Sequence, residues 1–181
     1  MLEIRWHGRG GQGAVTSVEM LTLAAIAEGK YAQGFPSFGP ERRGAPVTAF
    51  TRIDDKRIKV RSAIYNPDVV VVLDSSLVSL VNVTEGLKSG GTLVVNTIKS
   101  PEELKQELNF QGKVATVDAS RIAWEELGIP ITNTTMLGAL IKAIKIVKLE
   151  STKAPMEHRF GRIAEKNLAA LNRAYEEVKI A

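Results

Sequence analysis

The residues best suited to chemistry form a glycine-rich turn near the N-terminus, between a strand pattern and an alanine-rich helix pattern. It contains Gly8, Arg9, Gly10, Gly11, Gln12 and Gly13. Glycine permits positive φ and lets a partner approach the main chain closely. The first amides of a helix are unpaired and lie at the positive end of its dipole, so a phosphate or carboxylate suits this position. Positive charge is expected to come from Arg5, His7 and Arg9.

Gly8, Gly10 and Gly13 also satisfy the G-x-G-x-x-G pattern in its strand-to-helix context. A dinucleotide-binding unit, however, carries an acid near the end of its second strand, and the candidate second strand, residues 31–36, ends without one. No lysine follows Gly13, so the turn is not a P-loop. Two interpretations are favoured over a nucleotide-binding site: close packing of the helix on the sheet, and contact with an anion or a partner subunit.

A second candidate is the loop of residues 37–46, which is too rich in Gly and Pro for a regular element. It contains Glu41, Arg42 and Arg43. The two arginines could form a fork for a carboxylate or phosphate, or could belong to a solvated turn.

Three further polar residues are candidates for chemistry. Asp74 and Asp118 end predicted strands, where α/β folds place ligands, but each is expected to cap the helix that follows. His7 is expected to be an oriented structural histidine rather than a base.

Composition excludes several classes of site. The chain has 181 residues, 44% of them hydrophobic, no cysteine and two histidines. We therefore expect one domain over residues 1–181, without disulfides, thiolate nucleophiles or cysteine-held clusters. The net charge of +4 comes from interleaved charges, which favours an acidic protein partner over nucleic acid. No leader pattern and no apolar run near 18 residues is present, so we expect a cytoplasmic protein without a membrane span.

The elements that must position these residues alternate along the chain. An unbroken apolar run at residues 69–73 is typical of a parallel strand covered on both faces, and further strands are predicted at residues 92–96 and 113–118. Helices are predicted at about 12–28, 101–109, 119–127, from 132 onward, and 163–178. The pattern predicts an α/β, Rossmann-like layered domain with a mostly parallel sheet flanked by helices, a C-terminal helix, and a β-hairpin of residues 47–53 and 57–61.

Four motifs carry a resemblance to a known family. They are RWHGRGGQGA at 5–14, FPSFGPERRGAPVTAF at 35–50, NPDVVVVLD at 66–74 and NTTMLGA at 133–139. In this order the chain resembles, over nearly its whole length, the gamma subunit of 2-oxoacid:ferredoxin oxidoreductases, in particular of pyruvate:ferredoxin oxidoreductase (pyruvate synthase).

The resemblance implies a division of labour. Such enzymes convert pyruvate, coenzyme A and oxidised ferredoxin reversibly to acetyl-CoA, carbon dioxide and reduced ferredoxin. Thiamine diphosphate and Mg lie with the alpha and beta subunits, and the beta and delta subunits hold iron–sulfur clusters. This chain has no G-D-G thiamine motif. The resemblance thus implies a subunit without its own cofactor, metal or catalytic residue, which completes the assembly and helps form the path for coenzyme A.

The site residues implied are Gly8, Arg9, Gly10, Gly11, Gln12, Gly13, Glu41, Arg42, Arg43 and Asn133, in contact with coenzyme A or a partner subunit. Residues 41–46 look more like the pyruvate and branched-chain members than the 2-oxoglutarate ones. The alternatives are a gamma subunit acting on a branched-chain 2-oxoacid or 2-oxoglutarate, and a stand-alone nucleotide- or anion-binding α/β domain.

Overall fold

The computed structural model describes residues 1–37 and 43–181. Within them one sheet contains seven strands: β1 (Leu2–Arg9), β2 (Tyr31–Pro36), β3 (Pro46–Asp54), β4 (Val69–Val72), β5 (Thr92–Asn96), β6 (Lys113–Val117) and β7 (Lys179–Ile180). Their spatial order is β2-β3-β1-β4-β5-β6-β7. Pairs β1–β4, β4–β5 and β5–β6 are parallel, and β1–β3, β2–β3 and β6–β7 are antiparallel.

Helices cover both faces of this sheet. They are α1 (Ala14–Ala27), α2 (Leu77–Leu80), α3 (Pro101–Leu108), α4 (Ala119–Leu127), α5 (Asn133–Ile144), α6 (Lys153–Phe160) and α7 (Ala164–Glu177). Two short 3-10 segments, Leu149–Thr152 and Gly161–Ile163, flank α6. The predicted α/β class with a mostly parallel sheet and a C-terminal helix is confirmed. No helix in the described ranges is long and apolar enough to cross a membrane.

Local sequence explains where several helices begin and end. Ser100 and Glu103 form a reciprocal capping box at the start of α3, with Pro101 at the first helical position. The Asp118 carboxylate accepts from the Arg121 amide and caps α4, as predicted. Gly128, in the left-handed region, ends α4.

The core consists of two apolar clusters, one on each face of the sheet. The larger cluster joins β1, β4 and β5 to α1, α5 and α7, and the smaller packs the opposite sides of β4, β5 and β6 against α2 and α3. Helices α5 and α7 come so close that a Cβ on Gly138 would lie 2.0 Å from the Leu171 carbonyl oxygen. Gly34 on β2 likewise lies under α1, where a Cβ would be 2.5 Å from Val18 Cγ1. Both contacts require glycine.

The predicted hairpin partner of β3 is wrong. Residues 57–61 form no strand, and β3 pairs instead with β1 on one side and with β2 on the other. Since both edges of β3 are taken, no place beside it remains for residues 57–61. The hairpin in this fold is formed by β2 and β3.

Candidate functional site

The glycine-rich turn lies at the carboxyl end of β1 and leads directly into α1. Gly11 and Gly13 have positive φ, +91° and +80°. Gly13 is the N-cap residue of α1 and no side chain caps this helix. The first amides of α1 therefore have no side-chain cap, and an anion could accept hydrogen bonds from them.

The chain that leads into β3 holds the turn in place. The Gly10 amide donates to the Ala45 carbonyl at 2.9 Å, and the Gly44 amide donates back to the Gly10 carbonyl at 3.0 Å. Arg43 is exposed beside this pair, and its Cγ would lie 3.8 Å from a Cβ built on Gly11. The structure thus brings Arg43 beside the glycine turn. Glu41 and Arg42 lie outside the described residues.

Asp74, at the end of β4, is the hub of the polar contacts around the turn. Its Oδ2 accepts from Arg9 Nε at 3.2 Å and from Gln12 Nε2 at 2.7 Å, while its Oδ1 accepts from the Ser76 amide at 3.0 Å. Burial raises the pKa of Asp74, but the hydrogen bonds from Ser76 and Gln12 and the charge of Arg9 outweigh it, so the net pKa is lowered. Asp74 is therefore an anchored carboxylate.

The expectation that Asp74 caps the next helix is wrong. The N-cap residue of α2 is Ser76, and no side chain caps that helix. The Asp74 carboxylate joins β4 to the turn, a role that sequence reasoning missed. The position of Asp74 at the end of a strand was predicted, but its partners Arg9 and Gln12 come from a distant part of the chain, and no local pattern identifies them.

Each nitrogen of the Arg9 guanidinium makes one contact within the chain. Besides Asp74, its guanidinium donates to the Gly44 carbonyl at 2.9 Å and to Ser76 Oγ at 2.7 Å. Gln12 turns back so that its Oε1 accepts from the Arg9 amide at 2.8 Å. These contacts make Arg9 and Gln12 residues that hold the shape of the turn.

Asn133, the first residue of α5, lies over the turn. Its side chain is buried, and a Cβ on Gly13 would lie 2.4 Å from Asn133 Nδ2. Ser17 Oγ of α1 donates to the Asn133 carbonyl at 3.1 Å. The structure therefore places Asn133 with the glycine turn, and it makes glycine at position 13 necessary for both its φ and this contact.

The charge expected from Arg5 and His7 does not reach the turn. Arg5 Nη2 donates to the Val83 and Glu85 carbonyls at 3.1 and 2.6 Å, and its Nε donates to His7 Nε2 at 3.0 Å. Burial, and secondarily the charge of Arg5, lowers the pKa of His7 to about 4. His7 is thus neutral at pH 7 and accepts a hydrogen bond, which agrees with an oriented structural histidine.

A cavity of about 270 Å³ lies at the carboxyl ends of β4 and β5. Its connection to the turn is Ser76, the partner of Arg9, and its lining combines Ser79, Thr97 and Lys99 with apolar side chains such as Val78 and Leu104. No group of three or more His, Cys, Asp or Glu side chains arranged to hold a metal occurs in the described part of the chain. The site is suited to binding an anion and neighbouring polar groups.

Comparisons with known proteins give one consistent result. The sequence pattern of the family described as pyruvate ferredoxin/flavodoxin oxidoreductase matches residues 3–177. The chain is 57% identical to the pyruvate/ketoisovalerate oxidoreductases common subunit gamma of Thermococcus kodakarensis, over 99% of this chain and 98% of that protein.

Two further relatives carry a different name. The identity to pyruvate synthase subunit PorC of Methanocaldococcus jannaschii is 51%, over 98% and 97% of the two chains. The crystal structure of the pyruvate oxidoreductase subunit PORC of Thermotoga maritima superposes with a TM-score of 0.90 at 46% identity, covering 99% of this chain and 98% of that one.

Proposed function

Because the chain belongs to the pyruvate ferredoxin/flavodoxin oxidoreductase family, we propose that it is the gamma subunit of a 2-oxoacid:ferredoxin oxidoreductase acting on pyruvate. The observation that carries this proposal is the nearly full-length identity of 57% to a gamma subunit named for pyruvate and ketoisovalerate enzymes. The complex converts pyruvate, coenzyme A and oxidised ferredoxin to acetyl-CoA, carbon dioxide and reduced ferredoxin. It contains alpha, beta and delta subunits and works in the cytoplasm.

The redox chemistry belongs to the partner subunits in this proposal. Thiamine diphosphate with its Mg and the iron–sulfur clusters supply carbon–carbon cleavage and electron transfer from there. The sequence of this chain has no cysteine, so it offers no thiolate to a cluster. Its own residues contribute shape and binding.

The glycine turn supports a role on the path of coenzyme A. Coenzyme A carries phosphates, and the exposed Gly11, with the Arg43 side chain next to it, lies just before the N-terminus of α1, which no side chain caps. Arg9 and Gln12 act as positioning residues, because their polar groups already form hydrogen bonds with Asp74, Ser76 and the turn itself. The hydroxyl-lined cavity next to Ser76 offers polar contacts to the rest of the same ligand.

Helix α1 supports a role in assembly. Apart from Glu19, the exposed side chains of α1 are apolar: Val15, Leu23 and Ile26 on its outer face are 51%, 37% and 50% exposed, and Tyr31 at the start of β2 is 49% exposed. An apolar helix face is normally covered. We propose that a partner subunit covers this face.

Replacement of Gly11 in the assembled complex tests the proposal. Gly11→Leu is expected to raise the KM for coenzyme A at least about tenfold, because a side chain at positive φ fills the approach to the amides. Gly128→Leu is the matched control, since Gly128 also has positive φ, +72°, and a Cβ added there would meet no atom within 4 Å.

The assay is viologen reduction by the complex, purified anaerobically, with pyruvate, ketoisovalerate and 2-oxoglutarate in parallel. If the two variants have the same coenzyme A kinetics, the proposal that this chain forms part of the coenzyme A path is wrong. Recovery of the chain alone and inactive would instead favour the stand-alone anion-binding domain, and preference for another 2-oxoacid would correct the substrate.

A further inference from the structure

Residues 56–61, called here the basic segment, have the sequence KRIKVR. Cations at 57, 59 and 61 alternate with Ile58 and Val60, which is the period of two typical of a strand. In the structure the segment nevertheless lies outside every helix and strand of the described chain. The alternating pattern of the segment thus does not form a strand within the described chain.

The main chain of the basic segment is free for pairing. Within the described residues, the amides and carbonyls of 57–61 make no backbone–backbone hydrogen bond. The nearest contact is from a side chain: Gln33 Nε2 of the edge strand β2 donates to the Ile58 carbonyl at 3.3 Å. Main-chain groups without backbone partners can pair with the edge of another chain.

Two hydrogen bonds restrain the chain within the segment and just after it. Gln33 donates to the Ile58 carbonyl, and beyond the segment the Ala63 carbonyl accepts from Arg52 Nη2 at 3.4 Å, next to the buried Ile64. The stretch between these two contacts is exposed, and the restraint on either side of it lowers the entropy lost when it binds.

The charges of the segment are also uncompensated. Its four cations, Lys56, Arg57, Lys59 and Arg61, are exposed, and none takes part in an ion pair within the ranges that the structure describes. Elsewhere, by contrast, Arg121 and Arg173 each contact two or more acids. Exposed apolar side chains adjoin them, Val60 at 43% and Tyr65 at 73%. A partner that fits this surface is acidic and covers apolar groups at the same time.

We infer that the basic segment becomes a strand by pairing with an acidic edge strand of another subunit of the oxidoreductase. This inference rests on the proposed function for the existence of that subunit. Strand addition satisfies the free main-chain groups and sets alternate side chains against the partner, so that Arg57, Lys59 and Arg61 meet its acids on one face. Nucleic acid would use the cations but leave the amides and carbonyls without ladder partners.

The first test reverses the charges. The variant Arg57→Glu, Lys59→Glu, Arg61→Glu is expected to join the other subunits at least about tenfold more slowly than wild type at low salt. The control carries the same change in charge at exposed positions elsewhere, Lys145→Glu, Arg162→Glu and Lys166→Glu, and is expected to assemble at nearly the wild-type rate. Equal slowing of both variants overturns the inference, because net charge alone then explains the effect.

The second test follows the amides themselves. Hydrogen exchange at residues 57–61 is expected to be fast in the free chain and slowed at least about a hundredfold in the complex, because ladder hydrogen bonds form only there. If the complex assembles and these amides exchange as fast as in the free chain, the inference fails while the proposed function stands. If the wild-type chain joins no complex, both fail. Equal protection by duplex DNA alone also overturns the inference.

Discussion

The two halves of the sheet bury their faces in different ways. In the parallel half (β4, β5 and β6) both faces are apolar and helices cover each of them. In the antiparallel half (β2, β3 and β1) one face is apolar beneath α1, but the other buries Arg5, His7 and Arg52 under irregular chain. The parallel half is thus held by packing and the antiparallel half by specific polar partners, and the glycine turn lies where the two halves meet.

Truncation in the parallel half is expected to have the largest effect. Leu93 of β5 is fully buried, so Leu93→Ala should lower the free energy of unfolding by about 2–5 kcal/mol through lost transfer energy and a cavity. Ile98, 86% exposed just after the same strand, is the matched control, and Ile98→Ala should change it by less than about 0.5 kcal/mol. Chemical denaturation measures both, and similar losses would contradict the packed core assigned to this half.

Removal of one polar partner in the antiparallel half should cost somewhat less. Arg52 is 1% exposed and its Nε donates to Glu3 Oε1 at 2.9 Å. Arg52→Met should cost about 2–3 kcal/mol, because Glu3 then keeps only the more distant Lys88.

The double variant Arg52→Met, Glu3→Met separates the charge from the packing. It should recover most of that loss, since an apolar pair can replace a buried ion pair of similar volume. If the double variant is no more stable than Arg52→Met, the polar partners do not hold this face in the way described. Denaturation of all three variants at one pH gives the comparison.

Acid should weaken the antiparallel half through His7. Its folded pKa of about 4 lies below the ordinary value of 6.5. Between these values the unfolded chain binds a proton that the folded chain does not, so stability falls as pH falls through this window, by at most about 1.4 kcal/mol per pH unit.

His7→Gln is expected to lose this part of the pH dependence. The other histidine, His158, is exposed, and His158→Gln is the matched control for the substitution itself. Unfolding free energies measured from pH 7 to pH 4 decide the matter. A wild-type slope in His7→Gln would show that other groups cause the acid sensitivity.

The same contrast explains which features could be predicted from the sequence. The run at residues 69–73 and the cap at Asp118 depend on neighbours in the chain, so local pattern was sufficient for them. The pairing of β3, the hub at Asp74 and the neutral state of His7 depend on what lies beside them in space. Periodicity predicted a strand at residues 57–61 because it records side-chain alternation and contains nothing about which strand edges are already occupied.

For the candidate site, the sequence supplied the members and the structure supplied their roles. Arg43 and Asn133 lie beside the glycine turn, whereas Arg9 proves to be engaged with Asp74 and Ser76. Types and spacing identify which groups can bind an anion, but they do not show which of those groups are already satisfied within the chain.

The two glycine contacts of α1 have a further consequence for ligand affinity. Gly13 at one end of the helix lies against Asn133, and Gly34 lies directly under Val18 and Thr22. At Gly34 the helix packs directly on the backbone of the sheet, with no side chain in between. The first amides of α1 therefore have a fixed position before an anion binds. Binding of a ligand at this turn would therefore cost little free energy for ordering the protein. A methyl group added at Gly34, away from the turn, would weaken the binding of that ligand.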